Sequence, residues 1–151
     1  CAPAYDPFCD EWGGAMPAIE DIVKAFNAAW AAGDIDAAIA YVAEDGVYAL
    51  YLSNEVLPFA GQTVGRAGIE AVLREVRRQF DYLVYRPHAI VVSGDIVRMR
   101  VEHMYRHRAS GEMLTGNFRL VFTVCGDKIV RADEYHDRAM VETFMRLFAV
   151  Q

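Results

Sequence analysis

The chain has 151 residues, 54% of them apolar and 24% charged, which suits a single domain with a sizeable buried core. Its formal net charge of -6 and pI near 5.1 oppose nucleic acid or an anionic membrane as the main partner, because either calls for a basic field. No apolar run approaches the roughly 18 to 20 residues of a bilayer-spanning helix, so no membrane span is expected.

Residues 1–16 mix Pro, Gly and aromatic residues without periodicity and read as an irregular arm ahead of a domain covering 17–151. From Pro17 the pattern turns helical, with Ile19, Ile22, Val23, Phe26 and Trp30 at three- and four-residue intervals and Glu20 and Asp21 at the positive end. Asp34 is placed to cap a second short helix from Ile35, after which Val47, Tyr48, Leu50 and Tyr51 begin a strand. Residues 53–65 read as a loop from their Pro and Gly content. Residues 66–80 form a third amphipathic helix, with Ile69, Val72, Leu73, Val76 and Phe80 inward and Arg74, Arg77 and Arg78 in solvent. Four strands follow at 82–92, 96–108, 112–124 and 129–136, their turns marked by Gly94, Gly111 and Gly126. Residues 138–148 close the chain as a short amphipathic helix. The class is α+β: three front helices and a curved antiparallel meander.

Three cysteines, Cys1, Cys9 and Cys125, make an odd set without zinc-like spacing. They predict no metal centre and no disulfide framework, and with them a cytoplasmic protein. The opening cysteine leaves an exported or lipid-anchored form open, with a Cys1 to Cys9 bridge in that case. No cofactor is expected.

The strand at 96–108 carries most of the candidate chemistry. Read with a period of two, Val97, Met99, Val101, His103 and Tyr105 share one face, and Arg98, Arg100, Glu102, Met104 and Arg106 the other. The plain reading sends the charged face to water. The alternative turns that face into a cavity.

Three stretches, FNAAWAAGDIDAAIAYVAEDGVY at 26–48, GRAGIEAVL at 65–73 and FRLVFTVCGDKIVRADEYHD at 118–137, resemble the SnoaL-like, nuclear transport factor 2-like superfamily. The resemblance implies a conical α+β barrel, in which a strongly bent sheet wraps the helices around a deep apolar pocket and homodimers form through the sheet. In site pattern the chain is similar to the limonene epoxide hydrolases, whose Arg-Val-Asp strand corresponds to Arg100, Val101 and Glu102. Glu134 would take the place of their second working Asp, and Tyr48 that of the water-binding Tyr. Leu50 replaces their water-binding Asn. Resemblance to the ketosteroid isomerases places apolar Phe26, Leu50 and Phe118 where those enzymes keep their polar machinery.

On this reading Arg100, Glu102 and Glu134 meet at the pocket floor with Tyr48 beside them. Two carboxylates in an apolar site share a proton while the guanidinium holds one of them charged, which yields an acid and a base together. Leu50, Met104, Phe118, Leu120, Phe26 and His136 would line the substrate site, with Tyr51, Phe59 and Met140 near its mouth. His103 and His107 would then lie on the outer face of the sheet, with Asn117 and Arg119 as dimer contacts. Two functions remain open at this stage. One is a cofactor-free acid/base enzyme of hydrolase, isomerase or cyclase type, acting on an apolar, cyclic small molecule. The other is a non-catalytic homodimer that binds a hydrophobic ligand or a partner protein.

Overall fold

The computed structural model describes residues 18–148; the arm expected at 1–16 lies outside them. Helix α1 (Ile19–Ala31) turns Ile22, Val23 and Trp30 into the core, as its spacing predicts, and buries Asn27 beside them. Helix α2 (Ile35–Ile39) starts at Asp34, whose side chain accepts a hydrogen bond from the Ala37 N–H at 3.0 Å. Strand β1 (Val42–Leu50) begins earlier than the pattern suggested, because Val42 already pairs with Ile129, ahead of a register break between Val42 and Val47. The expected loop contains a short strand, β2 (Gly61–Val64), held only by antiparallel pairing with β1.

Helix α3 (Arg66–Gln79) buries Ile69, Val72 and Leu73. Arg74 is exposed and pairs with Asp36 at 2.7 Å, but Arg77 departs from the solvated reading. Its guanidinium stacks 3.9 Å from the Tyr82 ring centre and 4.8 Å from that of Trp30, and donates to the Trp30 carbonyl. Burial lowers its pKa.

Four strands complete the sheet: β3 (Phe80–Ser93), β4 (Ile96–His107), β5 (Met113–Cys125) and β6 (Lys128–Tyr135). Their order is β2-β1-β6-β5-β4-β3, antiparallel throughout except where β1 runs parallel to β6. Pro87 is tolerated because β3 is an edge strand, and a register shift between His88 and Val91, with Ala89 at φ 53°, bends that edge. Gly94 turns the β3–β4 hairpin at φ 61°, a conformation that glycine adopts without steric cost. Helix α4 (Arg138–Phe148) packs Val141, Phe144 and Met145 inward.

The sheet curves around the helices, and its concave side meets α1 and α4 in a core centred on Val23, Val97, Val101 and Phe122, each at most 1% exposed, while Ile69 and Leu73 of α3 pack with Trp30, Ile35, Ile39 and Val42 in a second cluster. Among the described residues, no helix is long and apolar enough to cross a membrane. Cys125, at the end of β5, is disulfide-bonded, contrary to the reading of the odd cysteine count, and Cys1 and Cys9 lie outside the described residues.

The Asp34 cap is testable. Asp34→Ala should lower unfolding stability by about 1 kcal/mol without altering the far-ultraviolet circular dichroism of the native state, as read by urea denaturation.

Candidate functional site

Strand β4 decides what the cavity contains. Along it, burial alternates without a break from Val97 to His107: Val97, Met99, Val101, His103, Tyr105 and His107 are buried, and Arg98, Arg100, Glu102, Met104 and Arg106 are exposed. The expectation that Arg100 and Glu102 look into the pocket is therefore corrected; both stand on the outer face of the sheet. Glu102 pairs there with Arg86 at 3.0 Å, and Met104 faces outward with them. The physical reason is the cost of the reverse parity. Sequestering three arginines and a glutamate would cost several kcal/mol per ion. Burying Val97, Met99, Val101 and Tyr105 instead gains roughly 1.5 to 3 kcal/mol for each large apolar side chain. A one-residue slip would exchange the two sets, so the register is strongly specified. His103 and His107, expected outside, are 2% and 3% exposed for the same reason.

Beneath the sheet lies an apolar cavity of about 90 Å³. Seven of the sequence-predicted site residues line it: Phe26, Tyr48, Leu50, Phe118, Leu120, Glu134 and His136. Phe59 lines it as well. Tyr51 does not close the mouth; its hydroxyl donates to Asp133 at 2.8 Å and its ring stacks on Tyr135. Met140 is exposed, although its methyl group lies close enough to Gly116 that a Cβ there would sit 3.0 Å from it.

Glu134 reaches the cavity through the parity of β6, with Leu50 of β1 and Leu120 of β5 as its cross-strand neighbours. Two leucines beside a carboxylate leave it little water, and its compensation comes from the next residue of like parity. His136 Nε2 lies 2.6 Å from Glu134 Oε2, and the two side chains are only 9% and 17% exposed, in that order. The imidazole is held by stacking on Phe118, ring centres 4.4 Å apart. With its proton on Nε2, His136 donates to the carboxylate in a charge-assisted hydrogen bond.

Tyrosine hydroxyls surround this pair. Burial first, and then the Glu134 carboxylate, hold the phenols of Tyr48, Tyr82 and Tyr85 above their usual range. For Tyr105 burial again leads, followed by the neighbouring Tyr82 and Tyr85. All four thus stay protonated and able to donate hydrogen bonds at ordinary pH. Tyr85 spends its donor on Asn27 Oδ1 at 2.6 Å, and Asn27 in turn donates to the Val23 carbonyl at 2.8 Å. Tyr82 and Tyr105 stack at 3.9 Å. Sequence reading missed Tyr82, Tyr85 and Tyr105, although the apolar parity of β4 already contained Tyr105.

His103 sits behind the pair, its ring 4.5 Å from Tyr105, 5.2 Å from Phe118 and 6.0 Å from His136. Neither ring nitrogen has a hydrogen-bond partner. Burial, and secondarily His136, push its pKa down to about 4. Among the described residues there is no cluster of three side chains suited to hold a metal.

Residues 23–132 match the SnoaL-like domain, and the chain belongs to that family. Its fold is that of the nuclear transport factor 2-like proteins. One such protein from Burkholderia xenovorans LB400 is 24% identical at a TM-score of 0.74, covering 87% of this chain and 98% of that one. A candidate isomerase from Rhodopseudomonas palustris is 14% identical at 0.74, covering 88% and 98%. A candidate SnoaL-like polyketide cyclase from Mesorhizobium loti is 20% identical at 0.67, covering 80% and 100%. No curated protein matches the chain.

The buried His103 gives stability a pH dependence of definite sign. Its folded pKa of about 4 lies below the unfolded value near 6.5. Its contribution is therefore complete above pH 6.5, falls as the unfolded chain gains a proton that the native state refuses, and is lost by about pH 4. Urea denaturation between pH 7 and 4.5 should show a steeper loss in the wild type than in His103→Leu, the difference being on the order of 3 kcal/mol across the full window. Parallel slopes would mean that His103 is hydrated or charged in the native state.

Proposed function

We propose that this chain is a cofactor-free acid/base enzyme of the isomerase or cyclase type, acting on a flat, mainly apolar small molecule with an enolisable carbonyl group. The observation that carries the reading is the 2.6 Å contact between Glu134 and His136 inside an otherwise apolar, aromatic-walled cavity. Such a pair can take a proton from carbon at one position and return it at another. Glu134 serves as the base: the C–H bond beside the carbonyl breaks, its proton passes to the carboxylate, and the electron pair moves onto the carbonyl oxygen as an enolate. The Tyr48 hydroxyl, kept protonated by burial and by Glu134, supplies a hydrogen bond to that oxygen. His136 orients the carboxylate and shares its proton. Where the substrate carries a carbon–carbon double bond next to the deprotonated carbon, the enolate extends over that bond, and return of the proton at its far end moves the double bond into conjugation and completes an isomerisation. Attack of the enolate carbon on a second carbonyl of the same molecule, with protonation of the resulting alkoxide, completes a cyclisation. The neighbouring candidate isomerase and candidate cyclase support the reading at the level of fold.

Epoxide hydrolysis loses its support here, because it rested on a trio in which Arg100 and Glu102 join Glu134, and those two residues face away from the cavity. A second reading is favoured by the lining itself. Apart from Glu134, His136 and the tyrosine hydroxyls, the wall is hydrocarbon and aromatic, which suits a binding domain for a hydrophobic ligand without chemistry.

Proton exchange separates the two. With 2-tetralone as probe in D2O, the enzyme reading expects NMR to show deuterium entering the positions beside the carbonyl faster than in buffer, with Glu134→Gln lowering the enhancement by about 10²- to 10⁴-fold. Binding of 2-tetralone without accelerated exchange would favour the ligand-binding reading. Unchanged exchange in Glu134→Gln would remove Glu134 from the mechanism.

A further inference from the structure

The cavity of about 90 Å³ is smaller than the roughly 300 to 1,000 Å³ of a typical small-molecule site, so a flat two-ring ligand enters only if part of the wall gives way. Most of the wall is fixed. Strands β1, β6, β5 and β4 are each paired on both sides. Helix α1 is tied to β3 by the hydrogen bond from Tyr85 to Asn27. Helix α3 is tied to β1 by Arg66 Nε, which donates to the Val42 carbonyl at 2.8 Å, and to α1 through Arg77.

The remaining wall has no such anchorage. Residues 51–60, which lead from β1 to β2, put Leu52, Leu57 and Phe59 against the cavity, and α4 adds Val141 and Met145. Leu50 and Gly61 are direct partners in the sheet, so the segment between them is a loop whose ends lie together. Its turn is held from within: the Val56 and Leu57 N–H groups donate to the Ser53 carbonyl, and that of Ala60 to the Leu57 carbonyl. Among the described residues, and apart from the bonds to Asp137 at its own start, α4 is joined to the rest of the chain by one hydrogen bond. In it the Ser53 N–H donates to Glu142 Oε1 at 2.7 Å, which also holds the Glu142 carboxyl below its usual range. The loop and the helix thus meet at a single charge-assisted contact, backed by apolar packing. Helix α4 begins two residues after His136, so this wall is continuous in sequence with the acid/base pair.

We propose that residues 51–60 and α4 are a gate, latched by the hydrogen bond from Ser53 to Glu142, that opens to admit a flat apolar ligand and settles back over it. The gate rests on the cavity being the ligand site, which both readings of the function share. Opening breaks the latch and uncovers Leu57, Val141 and Met145, each at most 4% exposed in the closed form, so the closed form prevails in the free protein. Closure covers them again and keeps water from the Glu134 carboxylate while a proton moves.

Two measurements on the full chain test the gate. Amide hydrogen exchange without ligand should show the hydrogen-bonded Leu57, Ala60 and Val141 amides opening locally, ahead of Val101 and Phe122 in the sheet. Glu142→Ala keeps a good helix former in α4 and should speed exchange at those three amides roughly tenfold, with Val101 and Phe122 unchanged. Glu142→Gln, which retains an acceptor oxygen, should fall between. In stopped-flow fluorescence with 2-naphthol as the probe, association and dissociation should both be faster in Glu142→Ala by several-fold or more. Arg138→Gln removes only the exposed ion pair to Glu142 and should change neither rate by more than about twofold. Gate amides that exchange only together with those of the sheet, or equal 2-naphthol rates in the wild type and Glu142→Ala, would overturn the gate and leave the cavity as the ligand site. Local exchange at the three amides with no binding of 2-naphthol would instead remove the cavity as the ligand site, and the gate with it.

Discussion

A carboxylate inside a hydrocarbon hollow must be compensated or it will not remain there, and in this protein the compensation is the contact of Glu134 with His136. The rest of the site is arranged around that requirement. Parallel pairing of β1 with β6, and antiparallel pairing of β5 on the other side, set Leu50 and Leu120 against Glu134, so the sheet itself keeps water away. His136 follows β6 at the same parity, where Phe118 fixes its ring. Burial then keeps the hydroxyl groups of the tyrosines neutral, so that they remain hydrogen-bond donors, Tyr85 toward Asn27 among them. One ionisable pair in a ring of neutral donors is an arrangement that can move a proton without letting solvent take it.

Much of the fold was legible because its signals are local. The three- and four-residue spacing of Ile22, Val23, Phe26 and Trp30 produced α1, Asp34 marked the start of α2, and Gly94, Gly111 and Gly126 separated the hairpins. Strand β2 was not legible, since four residues centred on Gln62 and Thr63 acquire strand character only through their partners on β1. The early start of β1 has the same origin: its first residue pairs with Ile129, which is 87 positions away.

The candidate site was legible in part, and the division is physical. Period-two alternation separates β4 into two faces but carries no label for inside and outside; only the energy of burial assigns them. Family resemblance turned Arg100 and Glu102 inward, whereas the ordinary balance of hydrophobic gain against charge desolvation turns them outward. On β6 the same balance gives a different result. Asp133 faces outward to Arg131 and Tyr51, and Glu134 faces inward because the following histidine can serve it. A lone acid at a buried parity would read as an error, whereas Glu-Tyr-His reads as an acid carrying its own partner. That spacing was the one sequence signal that pointed to the pair.

The outcome on β4 also explains why a chain rich in acids presents arginines on its sheet. Strand β4 disposes of its charge on one face only, and that face collects Arg98, Arg100, Glu102 and Arg106 together. Arg86 satisfies Glu102 and Asp81 satisfies Arg106, so the charge left over concentrates where β4 meets β5, at Arg100 and Arg119. Exposure to water makes the concentration affordable, because solvent screens an outer guanidinium in a way that nothing inside the cavity could. Phe118 and His136 are the residues that a hollow on the outer face and the cavity beneath it have in common. The sheet therefore separates a wet, basic surface from a dry, acidic interior by little more than one layer of side chains, and it can do so because the parity of β4 admits no charge to the inner side.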